Sequence, residues 1–118
     1  MQSKTLRRLV LLAGAMAISH SAIAGETLDR IKKNGELVGV MDQAYPPYSF
    51  LNAKNEMDGM DVDLTKEFAK RLGVKAKIET PAWEVITSGN WRGRWDICIC
   101  SMTPDAQRAR SLDFVTHY

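Results

Sequence analysis

The strongest constraint on the fold is an order of patterns. A compact β-favouring run, "ELVGVM" (36–41), precedes a helical run, "MDVDLTKEFAKRLG" (60–73), and a second β-favouring run, "VKAKIE" (74–79). Alternation of this kind is the signature of an α/β layer with a largely parallel sheet. The helical run places Leu64, Phe68 and Leu72 at i, i+4 and i+8, with Val62 and Ala69 alongside, and ends on Gly73; these five are the expected core face. In the second β run Val74, Ala76 and Ile78 alternate with Lys75, Lys77 and Glu79, as a half-exposed or edge strand does. "DICIC" (96–100) reads as a third, buried strand, and "TLDRIKKNG" (27–35) as a short helix capped by Thr27 and stopped at Gly35. Residues 42–59, rich in Pro, Asn and Asp, read as a loop at the carboxyl end of the first strand, and "SLDFVTHY" (111–118) as an extended ending.

The first 24 residues stand apart from this order. Lys4, Arg7 and Arg8 precede the apolar "LVLLAGAMAI", too short to span a membrane, and "AIA" ends at Ala24. This is a secretory signal peptide with cleavage expected after Ala24 and export to the periplasm, leaving residues 25–118 as one small domain. Without the signal's three basic residues the formal charge falls from +2 to −1, 13 Lys and Arg against 14 Asp and Glu. A nearly neutral chain gives no electrostatic case for binding nucleic acid or an anionic membrane, and no second long apolar run predicts direct membrane insertion. Export makes Cys98 and Cys100 worth weighing as a pair. In an extended strand, however, residues i and i+2 lie about 6.6 Å apart, so a bridge requires the strand to bend; the spacing favours small buried residues. With two cysteines and His117 as the one histidine after the signal, there is no four-ligand metal pattern. Neither a phosphate-binding loop nor a nucleophile–base pair is present, so no cofactor, metal or catalytic residue is assigned.

Ligands of open α/β sheets bind beyond the carboxyl ends of the strands. Three loops fall there: "DQAYPPY" (42–48), "TPAW" (80–83) and "SMTPDAQR" (101–108). Tyr45, beside two prolines, can hold a ring over a pocket mouth or cover a core edge, and the same two readings apply to Trp83. Asp42 can accept a hydrogen bond from a polar ligand or form a turn. In the third loop Thr103 is positioned as an N-cap with Pro104 at the first helical position. Ser101, Thr103, the free amides of that helix start and the Arg108 guanidinium then make a carboxylate receptor; the alternative for Arg108 is a surface ion pair. Cys100, at the end of the third strand, can touch the same ligand.

Taken in order, "GELVGVMDQAYPPYSF", "MDGMDVDLTKEFAKRLGV", "PAW" and "WDICICSMTPDAQRARSLDFVTHY" closely resemble the first lobe of the periplasmic amino-acid-binding proteins, the family 3 solute-binding components of ABC importers, from about Thr27 to Tyr118. The resemblance implies a two-lobed periplasmic-binding-protein-like α/β fold that closes on its ligand like a hinged clamp. Tyr45 is then the ring over the ligand, with Trp83 facing it, and Asp42 sits by the ligand side chain. Cys100 and Ser101 meet its amino or carboxylate group through backbone and hydroxyl. Thr103 and Arg108 grip the α-carboxylate. The implied partners are a polar or basic amino acid and an inner-membrane ABC permease driven by a separate ATPase. A thiol at position 100 departs from the family's usual small residue. The chain also reaches Tyr118 about where the family crosses into its second lobe, so it is expected to be the N-terminal part of lobe 1 and, as half a clamp, to bind free amino acids very weakly or not at all. The rival implied by the same resemblance is a cyclohexadienyl dehydratase-like enzyme, for which Asp42, Glu84 and His117 are the available acids.

Overall fold

The computed structural model describes residues 25–118; the expected signal peptide lies outside the described residues. The chain divides into two units, Met1–Arg30 and Ile31–Tyr118. Helix α1 (Glu26–Asn34) starts two residues earlier than a Thr27 cap predicts, with Glu26 and Asp29 in its first turn, where acidic side chains meet the positive helix end. It stops at Gly35, whose φ of +68° is left-handed, as expected of a helix-ending glycine.

The second unit is built on a parallel sheet. Strand β1 (Glu36–Val40) lies between β5 (Lys75–Glu79) and β6 (Ile97–Cys98). Val38 pairs with Lys77 on one side, and Gly39 and Val40 pair with Ile97 and Cys98 on the other. The chain therefore goes from β1 to one neighbour and then to the other. This reversal of strand order creates a crevice at the carboxyl edge of β1.

Side chains of β1 alternate between two helical layers. On one face Leu37 packs with Ile31 and Ala69, Gly39 lies beneath Thr65, and Met41 packs with Val62. Residues 37, 39 and 41 thus meet 69, 65 and 62 of helix α2 (Met60–Leu72), the period of a strand matched against that of an antiparallel helix. On the other face Val38 and Val40 pack with Ile86 of helix α3 (Trp83–Thr87) and with Trp95. Trp91 and Trp95 meet edge to face at 6.2 Å, and their indole N–H groups donate to Ile86 O and to Glu79. Both rings are anchors of this face.

The structure corrects three readings. Helix α2 buries Asp61, Val62, Thr65 and Ala69 and leaves Leu64 and Phe68 37% and 43% exposed. The cause is Gly39: a Cβ there would stand 2.8 Å from Thr65 Cγ2, so its absence lets Thr65 dock against the strand and sets the helix rotation. Residues 42–59 are not simply a loop. They form a small antiparallel sheet of β2 (Ala44–Tyr45), β3 (Ser49–Leu51) and β4 (Met57–Asp58), with a turn in which Asn52 Oδ1 accepts the amides of Lys54 and Glu56.

Third, Cys98 and Cys100 form a disulfide. Strand β6 ends at Cys98, where β1 runs out of partners, so Ile99 and Cys100 are free to bend and the two Cα atoms approach to 5.3 Å. Thiol titration of the native, unreduced chain is expected to find none, and two after reduction in denaturant; two reactive thiols before reduction would exclude the bridge.

Candidate functional site

Three loops leave the carboxyl edge of the sheet, after β1, β5 and β6. They are tied together there: Met41 N–H donates to Glu79 O at 3.2 Å, and Thr80 Oγ1 approaches Gln43 Oε1 at 3.4 Å. Trp83, placed after Pro81 at the start of α3, packs against the Val40, Ile86 and Trp95 cluster and the Met41, Val62 and Cys100 cluster, and serves as core cover. Its ring also faces the third loop. The Arg108 guanidinium carbon lies 5.7 Å from its centroid, within cation–π range.

The third loop departs from the expected helix. No helix starts at Thr103; residues 99–105 have no regular structure, and one 3-10 turn, Arg108–Arg110, follows. Its N-cap position is Gln107, and Asp105, not Thr103, supports the turn from two residues further back, with Oδ1 accepting the Arg108 amide at 2.8 Å and its carbonyl accepting the Ala109 amide at 3.0 Å. A carboxylate two residues further on outcompetes the Thr103 hydroxyl because it also pairs with Arg108 Nε at 3.5 Å. The row of free helix amides therefore does not exist here. What remains is Arg108 itself, whose Nη1 donates to Thr103 O at 2.7 Å. Held by Thr103, Asp105 and the Trp83 face, the guanidinium keeps Nη2 without a hydrogen-bond partner among the described residues. A guanidinium with free N–H groups can take a carboxylate bidentately.

The remaining sequence-derived residues are distributed around this edge. Asp42 follows β1 and accepts the Ala44 amide at 2.8 Å, which satisfies the turn reading and leaves Oδ2. Tyr45 is 42% exposed on β2, and its ring contact is with Tyr48 at 4.9 Å, not with Trp83. Cys100 is buried with Met41 and Val62. A groove of about 450 Å3 runs beside β6 and the 111–118 segment; Cys100, Ser101 and Met102 line it, whereas Trp83 and Arg108 do not.

Sequence reasoning missed Asp61. Its side chain is fully buried in the first turn of α2, where an aspartate normally reads as a solvated dipole partner. Oδ1 accepts Ser101 Oγ at 2.8 Å and the Tyr118 hydroxyl at 3.2 Å, and Tyr118 Oη accepts the Ser101 amide at 2.9 Å. Oδ2 is buried without a partner. Burial pushes the Asp61 carboxyl up from its ordinary range, against the lowering effect of the Ser101 and Tyr118 hydrogen bonds. Desolvation likewise pushes the Tyr118 phenol up. A carboxyl whose folded-state pKa is raised binds its proton more tightly folded than unfolded, so its ionisation opposes folding at neutral pH. Against an Asp61→Asn reference, the wild type is expected to gain melting temperature as the pH is lowered from about 7 towards about 4. A constant difference across that range would show that Asp61 does not titrate abnormally.

Comparison with known proteins follows the same lines. Residues 37–118 match the model of the bacterial extracellular solute-binding proteins, family 3. A probable amino-acid ABC transporter-binding protein of Haemophilus influenzae is 30% identical over 115 residues, which cover 98% of this chain and 45% of that protein. The chain thus spans about half the length of the curated relatives it matches. Among solved structures, an ancestral cationic amino acid solute binding protein, AncCDT-1, is 38% identical with a TM-score of 0.70, over 75% of this chain and 38% of that one. The same ancestor is described as a precursor of cyclohexadienyl dehydratase. The arginine-bound form of domain 1 from TmArgBP, a protein of T. maritima, is 33% identical with a TM-score of 0.65, over 70% of this chain and 65% of that domain.

Proposed function

The chain belongs to the bacterial extracellular solute-binding proteins, family 3, and on that premise we propose that it is first-lobe sequence of the periplasmic amino-acid-binding component of an ABC importer. The observation that carries the reading is the Arg108 fork, held against Thr103 O and the Trp83 ring at the carboxyl edge of the sheet. A ligand α-carboxylate accepts from the remaining Nη1 and Nη2 hydrogens. Asp42 Oδ2, on the neighbouring loop, favours a ligand whose side chain donates hydrogen bonds, which makes a basic amino acid the leading class. Tyr45 then shields the ligand from water, and Cys100 and Ser101 shape the wall beside it. The full receptor would deliver its closed, loaded form to a membrane permease.

A first lobe taken by itself leaves one face of its ligand in water, where hydrogen bonds compete with solvent. Yet domain 1 of TmArgBP is described as arginine-bound, which speaks against complete silence of an isolated first lobe. The mature chain is therefore expected to bind L-arginine with a Kd weaker than about 10 µM, or roughly −7 kcal/mol, and to prefer it to L-leucine. Titration by calorimetry and NMR shifts tests this; submicromolar affinity, or no saturable binding of any amino acid at millimolar concentration, would overturn it. The relatives named above are described as binding proteins, and the expected result with prephenate is no loss of water or carbon dioxide. Turnover would establish the dehydratase reading.

A further inference from the structure

Neither carboxylate hydrogen bond of Asp61 serves its own helix. Both donors come from far along the chain, Ser101 and Tyr118, separated from Asp61 by 40 and 57 residues. The three residues close a ring: the Ser101 amide donates to the Tyr118 oxygen, the Tyr118 hydroxyl donates to Asp61 Oδ1, and the Ser101 hydroxyl donates to the same oxygen. Every donor of Ser101 is thereby committed inside the protein. Ser101 also has a φ of +48°, a left-handed backbone that a non-glycine residue adopts rarely and that points to a functional constraint where it is held. The residue before it is bridged to Cys98, and the two after it lead to the Thr103 carbonyl that grips Arg108.

Asp61 is well placed to enforce that turn. It sits on a 13-residue helix, its amide donates to Tyr48 O at 2.8 Å, and its carbonyl accepts Thr65 Oγ1 at 2.8 Å. A rigid element thus carries an acceptor whose side-chain bonds all go outside its own turn. Leaving Oδ2 buried and unpartnered is costly and serves nothing in the helix.

We propose that Asp61 is the positioning residue of the ligand loop: its buried carboxylate holds Ser101 and Tyr118 and so fixes the left-handed turn from which Thr103 and Arg108 reach the ligand. Ser101 then acts as a hub of the wall, and its hydroxyl faces Asp61 instead of the ligand. The proposal rests on the ligand reading above for its effect on affinity, but its effect on the loop is independent of any ligand.

Two readouts on the full chain test it. In ligand-free protein the residue 101 amide is followed by hydrogen exchange, with the Val40 amide in the central strand reporting global stability. Asp61→Ala is expected to lower protection at residue 101 about tenfold more than at Val40, as loss of a hydrogen bond to a charged group does, while Asp61→Asn, which retains an acceptor, restores most of it. Arginine affinity should fall by a similar factor in Asp61→Ala and be rescued in Asp61→Asn. If Asp61→Ala does not fold, Ser101→Ala and Tyr118→Phe each delete one donor near the surface and should reproduce the local loss at residue 101. Equal losses at residue 101 and Val40 in the folded variants, or no local loss in Ser101→Ala and Tyr118→Phe, would overturn the proposal. If the wild type binds no amino acid, the ligand reading fails, whereas the exchange result still decides whether Asp61 positions the loop.

Discussion

Gly59→Ala is expected to abolish stable folding at growth temperature or to lower the melting point by 15 °C or more, roughly 3 kcal/mol or above for a domain of this size. Gly59 joins β4 to α2 with φ +116° and ψ 177°, a region that side chains other than hydrogen do not tolerate. A Cβ there would overlap the carbonyl of Tyr48 and stand 2.8 Å from Pro47 O. Those carbonyls cannot simply move, because they accept the amides of Asp61 and Met60 and so start the helix. Backbone strain of about 1–3 kcal/mol and overpacking of about 1–3 kcal/mol therefore add, against a total stability of about 5–15 kcal/mol. Gly73→Ala is the control. It also has a positive φ, +76°, but nothing lies within 4 Å of the added carbon, so only the strain of about 1–2 kcal/mol should appear. Equal melting points for the two variants would show that the overlap with Tyr48 and Pro47 is relieved at no cost.

The parallel layer was legible because strand and helix periods differ and the chain keeps them clean. "ELVGVM" and "VKAKIE" became β1 and β5 in register, and Lys75 and Lys77 marked β5 as an edge. The rotation of α2 was not legible. Leu64 and Phe68 make the stronger apolar stripe, but the close approach of Thr65 to Gly39 turned the helix towards Asp61 and Val62. That contact joins residues 26 apart, and no local propensity encodes it. Residues 42–59 carry turn formers at such density that three strands of two or three residues between them leave almost no periodic signal.

Cap chemistry explains the misreading of the third loop. Thr103 followed by Pro104 satisfies the helix-start pattern, and Asp105 two residues later satisfies it better, because its carboxylate takes both the amide and the guanidinium of Arg108. The same competition turned an expected amide cradle into a single oriented arginine. The Asp61 network lay beyond any local reading, since its members are brought together by the docking of α2 on β1 and the path of the last residues past Ser101.

Arg108→Ala is expected to weaken arginine binding about 10- to 100-fold, the equivalent of roughly 1.5–3 kcal/mol for hydrogen bonds to a charged partner. Its effect on stability should be modest, because the Asp105 pair it breaks joins side chains 27% and 50% exposed at 3.5 Å, and partly exposed pairs contribute about 0–1 kcal/mol. The decisive comparison is with agmatine, which keeps the guanidinium side chain and lacks the carboxylate. If Arg108 holds the α-carboxylate, wild type prefers arginine to agmatine by the same factor that the substitution removes, and in Arg108→Ala the preference disappears. Arg108→Lys keeps the charge but not the planar fork or its stacking on Trp83, so it should recover only a minor part of the affinity. Should Arg108→Ala weaken arginine and agmatine equally, the residue acts on the shape of the loop, and the carboxylate is held elsewhere.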